Sequence, residues 1–310
     1  MPVRSIVVTG ANSPLARCVV ERIGPDRAVM DTGTASAETY PTVVDLGWAP
    51  GPERVLASAS GVDPGVAATA QTLDRAAMTG AQALVHLSSA IVYGAWSDNA
   101  IPLTEEAALR PNPGVPDAVR HAEAERLVAD WADAHPDVSV CVLRAAIPLG
   151  PGVDSWLVSG VSGRSILRRR HLDPPRQFVH IEDLAAAVAV AATNGLTGVY
   201  NVAADGWIVG EQVRDLGAGS KWSWHLRRSS RAPENSPLVQ QPWVVANDRL
   251  RAAGWTPAYT NEEAVVAGTS GSRWREMSPS RRQEVALAGA GAGIIGGVAG
   301  VAALVRARRR

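Results

Sequence analysis

The chain has 310 residues, 46% of them hydrophobic, with 30 basic and 30 acidic side chains. That content can bury the core of one large α/β domain or two smaller ones and argues against disorder over most of the chain, while the balanced charge argues against a nucleic-acid partner. Cys18 and Cys141 stand far apart without metal-ligand spacing, so the expectation is buried reduced thiols, no metal site and a cytosolic folding environment.

A short β-rich run, Val3 to Val8, reaches Thr9-Gly10-Ala11, and the chain then shifts to helical spacing with Leu15, Val19, Val20 and Ile23 on one face. No secretory signal is expected ahead of this strand. A glycine at such a turn lets the backbone approach a diphosphate, and the helix N-terminus supplies N–H groups and partial positive charge. The three-glycine fingerprint is reduced to Gly10, with Ser13 and Ala16 at the second and third positions and Pro14 at the helix start. An ordinary strand–turn–helix with one glycine at the bend has the same local pattern.

Arg27 to Asp31 reads as a second strand, ending in an acid about twenty residues beyond Gly10, the spacing of a carboxylate that holds an adenosine ribose. This favours NAD over NADP; a plain turn at Asp31-Thr32-Gly33 is the alternative. Pro41 to Leu46 reads as a third strand closed by Asp45. Gly47 to Pro52 is too short and broken for a crossover helix, so one helix of the repeating pattern is missing, and Arg54 to Ala59 would be a fourth strand. A helix over 66–77, a strand over 83–89, a helix over 118–135 and a strand over 138–144 follow. Then come Phe178 to Asp183, an apolar helix over 184–192 and a strand over 199–202. This alternation predicts a doubly wound parallel sheet with helices on both faces. Gly10, Asp31, Asp45 and Ser89 all close strands, where ligands of such sheets bind.

Several phrases in order carry a family resemblance: VVTGANSPLA near the start, VVDL at 43–46, VHLSSAIVYG at 85–94, AEAERLV at 122–128, LRAAIPLGPG at 143–152, FVHIEDLAAAV at 178–188 and GVYNVAADG at 198–206. Over roughly the first 265 residues the chain resembles an extended short-chain dehydrogenase/reductase of the NAD-dependent epimerase/dehydratase type. The resemblance implies a Rossmann domain over 1–268 with a small substrate subdomain, mainly 145–178 and 203–268, that usually receives a nucleotide sugar. It also implies a bound dinucleotide, NAD before NADP. Thr9, Gly10, Ala11, Asn12, Ser13 and Leu15 would cradle the diphosphate, Asp31 the adenosine ribose, and Asp45 with Leu46 the adenine, with Ser88 beside the cofactor. Ser89 would hold the position of the catalytic serine or threonine. His180 and Asp183 are read as a capped helix start that organises the substrate lobe.

The family's catalytic tyrosine and the lysine four residues later share one helix face, so that the ammonium lowers the phenol pKa and holds the nicotinamide ribose. Aligning AEAERLV puts Asp117 at the tyrosine position and His121 at the lysine position. No tyrosine has a lysine four residues on, and Lys221 is the sole lysine of the chain. Asp117 and His121 either form a replacement acid/base pair, the carboxylate raising the imidazole pKa, or are a helix-start acid and a surface histidine. Tyr93 is a further candidate acid beside Ser89, its pKa expected near that of free phenol.

Val285 to Val305 contains no charge or proline, is flanked by Arg281, Arg282, Arg306 and Arg308, and is long enough to span a bilayer as a helix. Gly289, Gly293 and Gly297 recur at a spacing that lets helices pack closely. The expected organisation is a linker over 269–284, a transmembrane helix over 285–305 and a basic tail over 306–310. The expected location is the cell membrane, with the Rossmann domain in the cytoplasm. A buried soluble helix, a flexible tail and a re-entrant helix are the alternatives. Two functions fit: a membrane-anchored NAD(P)-binding protein without Tyr–Lys catalysis, in a binding, scaffolding or regulatory role, or an atypical active oxidoreductase or epimerase acting on a nucleotide sugar.

Overall fold

Apolar, β-branched runs build the sheet, and the computed structural model describes them within residues 5–10, 13–31, 40–47, 63–153, 174–217 and 236–270. In chain order the elements are β1 (Ile6–Val8), α1 (Pro14–Ile23), β2 (Ala28–Met30), β3 (Thr42–Asp45), α2 (Pro64–Thr79), β4 (Ala83–Ser89), α3 (Pro116–Ala134), β5 (Ser139–Ala145), β6 (Ile147–Leu149), β7 (Pro175–Arg176), β8 (Phe178–His180), α4 (Ile181–Asn194), β9 (Gly198–Val202), β10 (Ile208–Val209), α5 (Gly210–Gly217), α6 (Pro237–Gln240), α7 (Asp248–Ala252) and α8 (Asn261–Ser270). A short 3-10 turn, Ala90–Tyr93, follows β4.

Six strands form one sheet in the order β2-β1-β3-β4-β5-β9, and every neighbouring pair is parallel. Parallel strands need covered faces, and strand alternation supplies two apolar sides. Ile6, Val8, Val44, Val85, Leu87, Cys141 and Leu143 pack with α1 and α4. Val7, Val43, Leu84 and Val142 face Leu73 and Ala76 of α2 and Val128 of α3. The expected doubly wound α/β architecture is therefore present. The expected strand at 54–59 and the segment 285–305 lie outside the described residues. Among the described residues no helix is long and apolar enough to cross a membrane.

Local chemistry sets the helix ends. The Ser13 hydroxyl accepts from Ala16 N at 3.0 Å and Asp63 accepts from Gly65 N at 2.9 Å, each just before a proline that needs no N–H partner. His180 Nδ1 accepts from Glu182 N at 3.2 Å to cap α4, so the capped start expected of this phrase is observed. Asp183 then accepts from Ala258 N and Tyr259 N, both at 2.9 Å, and Tyr259 stacks on His180 with ring centroids 3.8 Å apart. These bonds hold the C-terminal segment against α4. In and immediately beside the described parts of 145–178 and 203–268 lie the parallel pair β6–β8 and the antiparallel pair β7–β10. Gln177 joins them to the 245 region, accepting from Val245 N at 2.8 Å and donating to the Val245, Ala204 and Gly206 carbonyls.

A buried ion pair fastens α3 to the sheet. Arg144 on β5 donates to Glu125 on α3 at 2.7 to 3.1 Å through two nitrogens, and both side chains are at most 7% exposed. Arg144 Nη1 also donates to the Tyr93 hydroxyl at 2.9 Å, which donates to Asn201 Oδ1 on β9 at 2.8 Å. Removing one partner strands a buried charge. Glu125→Ala is therefore expected to lower stability by about 3–5 kcal/mol in denaturant unfolding, while Glu125→Leu with Arg144→Met loses less than the single change. A loss below about 1 kcal/mol for the single variant would contradict this account.

Candidate functional site

The order of strand addition reverses at β1: the chain leaves β1 for β2 on one side and returns to β3 on the other. In open α/β sheets such a switch point forms the ligand crevice, outside the carboxyl ends of the strands. Thr9 and Gly10 follow β1, Asp31 follows β2, Asp45 and Leu46 close β3, and Ser88 and Ser89 end β4.

At the β1–α1 turn, Gly10 has φ +75°, and a Cβ added there would lie 2.7 Å from the Leu46 carbonyl oxygen. Only glycine lets the two backbones approach this closely. The turn fits a diphosphate in this respect, since it brings bare backbone to the N-terminus of a ten-residue helix with no acidic residue in its first turn. Ser13 uses its hydroxyl to cap α1, and Leu15 is fully buried, so Leu15 serves the core. Ala11 and Asn12 lie outside the described residues.

Asp45 and Leu46 have a different place from the adenine contact expected of them. β3 lies across β1 from β2, away from the Asp31 end of the crevice, and Asp45 is 1% exposed. Its Oδ1 accepts from Gly47 N at 3.1 Å and from the Thr9 hydroxyl at 3.3 Å, while Oδ2 meets His86 Nδ1 of β4 at 2.8 Å. Thr9 Oγ1 in turn accepts from Leu46 N at 3.0 Å. Burial pushes the Asp45 carboxyl up, but the hydrogen bond and charge of His86 and the Gly47 N–H together outweigh it and hold the pKa below the usual range. Asp45 is thus a buried tie beneath the turn, and a carboxylate so enclosed has no face left for a base. His86 is fully buried, and its Nε2 has no hydrogen-bond partner among the described residues. The same holds for the Ser88 hydroxyl, 2% exposed, on the same face of β4.

Asp31 sits where a ribose-binding acid is expected, its amide donating to the Val8 carbonyl at 2.8 Å. Its Oδ2 is met by Arg75 Nη1 from α2. Sequence reading passed over Arg75, because 44 residues separate the pair and helix periodicity does not report on a distant strand end. His86 carried a signal that was overlooked, a polar ring inside an otherwise apolar strand.

The catalytic candidates have different surroundings. Asp117 pairs with Arg120 at 3.2 Å, one turn along α3. His121 is buried rather than a surface residue, and burial, with the charge of nearby His86 as a smaller cause, pushes its pKa down to about 3. The imidazole pKa therefore moves opposite to the rise that a carboxylate partner would produce. Tyr93 is 1% exposed, and burial raises its pKa even though Arg144, a cation not anticipated there, opposes the rise. It is an interior hydrogen-bonding group. Ser89, half-buried at the crevice end of β4, accepts from Ile91 N and donates to the Ala145 carbonyl, both long at 3.4 Å. Among the described residues no group of histidine, cysteine and acidic side chains could hold a metal ion.

Solved structures share the fold. RMD from Pseudomonas aeruginosa, complexed with NADPH, is 19% identical with TM-score 0.64, covering 88% of this chain and 98% of that one. A dTDP-glucose 4,6-dehydratase from Bacillus anthracis in complex with NAD is 16% identical with TM-score 0.62, covering 91% and 99%. By sequence, uncharacterized proteins of Mycobacterium tuberculosis and Mycobacterium bovis are each 28% identical over 169 residues, 54% of this chain. The chain spans only 40% of the length of these curated relatives. The NAD dependent epimerase/dehydratase family matches residues 36–203, more than half of the chain, and with the switch-point crevice and its glycine turn this places the protein in that family.

Proposed function

We propose that the chain binds NAD, or a related dinucleotide, across the β1/β3 switch point and serves as a binding, scaffolding or regulatory subunit without Tyr–Lys chemistry. The observation that carries this reading is on α3, where Asp117 is paired with Arg120 and His121 is buried with a strongly depressed pKa. NAD, when bound, supplies a hydride acceptor at its nicotinamide ring. The chain's own contribution is the Gly10 turn and the α1 N-terminus for the diphosphate and Asp31 for the ribose end. Proton movement at a substrate hydroxyl needs a group that titrates at the crevice; of the four candidates, Ser89 ends β4, His121 and Tyr93 are buried and Asp117 is paired with Arg120. A serine hydroxyl without an adjacent base or cation is a weak acid and a weaker base. A nucleotide-sugar-like molecule remains the class of small ligand that suits the lobe formed by the described parts of 203–268.

We also propose that residues 285–305 anchor the protein as a single C-terminal membrane helix, with the folded domain on the cytoplasmic side and Gly289, Gly293 and Gly297 available for helix–helix association. The uncharged run and its arginine flanks support this.

For the full-length protein in detergent, calorimetry is expected to show saturable NAD binding below about 1 mM, lost in Gly10→Val, with no change in nicotinamide absorbance on adding sugar nucleotides. Hydride transfer abolished by His121→Ala would sink the non-catalytic reading and favour the atypical enzyme. In membrane fractions the chain is expected to resist high salt and carbonate and to need detergent for release. Release by carbonate alone rules out a spanning helix.

The state of His121 has its own signature. Near pH 7 its imidazole is neutral in both folded and unfolded chains and contributes nothing. Below about 6.5 the unfolded chain takes up a proton, whereas the folded one does so only near pH 3. Stability is therefore lost as pH falls through that window, at up to about 1.4 kcal/mol per pH unit. His121→Gln is expected to flatten the acid limb of a Tm-against-pH curve, and an unchanged limb would show that His121 does not resist protonation.

A further inference from the structure

We infer that Arg75 makes the ribose end of the crevice a mixed-charge site, which admits the 2′-phosphate of NADP alongside the free ribose diol of NAD. The inference rests on the dinucleotide-binding reading above and extends it to the choice between cofactors. A lone carboxylate at the end of β2 accepts from the ribose hydroxyls and repels a 2′-phosphate, which carries about two negative charges at neutral pH. Asp31 does not stand alone, because Arg75 Nη1 contacts its Oδ2.

The position of this guanidinium is built into the fold. Arg75 lies on α2, one turn after Thr72, whose hydroxyl reaches Asp45 Oδ1 at 3.5 Å and bonds the Ala68 carbonyl at 3.0 Å. The helix start is capped by Asp63. Asp31 is pinned by its amide bond to Val8 at 2.8 Å. The side chains of Arg75 and Asp31 are 19% and 15% exposed, so the pair is partly shielded yet reachable at the crevice edge. A guanidinium presents five N–H donors in a planar fork suited to phosphate, and one carboxylate oxygen does not exhaust them. With Arg75 present a phosphate entering beside Asp31 meets a guanidinium; without it the phosphate loses that charge and those donors.

Calorimetry of the full-length protein in detergent with NAD and NADP tests this, with thermal melts showing that each variant is folded. The wild-type chain is expected to bind NADP within about tenfold of NAD. Arg75→Gln should weaken NADP by at least about tenfold while changing NAD by less than about threefold, and Asp31→Asn should shift the preference toward NADP. Wild-type binding of NAD without NADP, or an equal effect of Arg75→Gln on both, overturns the inference and leaves the dinucleotide reading standing. Binding of neither nucleotide overturns both.

Discussion

A single buried carboxylate determines how the crevice is shaped. Asp45 ties the end of β3 to the Gly47 amide, the Thr9 hydroxyl and the His86 ring, and through Thr9 it fixes the Leu46 amide. These bonds draw the β1–α1 turn against the end of β3 until only a glycine fits at position 10. A charged group enclosed to this degree is tolerated because each oxygen has a donor, and loss of one donor would leave an expensive orphan. The turn, the switch point and the placement of β4 therefore share one dependency.

On the proposed reading, binding and chemistry are separated in this chain. The strand ends that hold a nucleotide in this fold retain a glycine turn, a helix N-terminus and an acid at β2. The helix face that would present a phenol and an ammonium presents Asp117 and His121 instead. Around them the interior is polar but inward-looking: Glu125, Arg144, Tyr93 and Asn201 bond in a chain from α3 across β5 to β9. Such a network fixes the packing of α3 against the sheet.

Much of the architecture was legible because continuous apolar runs bounded by turn residues have few alternatives. The strand over 83–89 coincides with the observed one, and those over 138–144 and 199–202 are within one residue. What could not be read was neighbourhood. Strand order depends on pairing partners, which periodicity does not encode, so nothing in the sequence corrected the adenine role that the resemblance implies for Asp45, although β3 lies across β1 from β2. The burial of His121 was hidden for a related reason. The inner face of α3 carries His121 and Glu125 among Ala118, Ala124 and Val128, so no apolar stripe marks it.

Thr72 and Arg75, three residues apart on α2, reach Asp45 at the switch point and Asp31 at the ribose end. One rigid rod thereby touches two places that a dinucleotide would bridge. A slide or rotation of α2 along its axis cannot alter one without disturbing the other. α2 thereby joins the middle and the far edge of the groove through a single element.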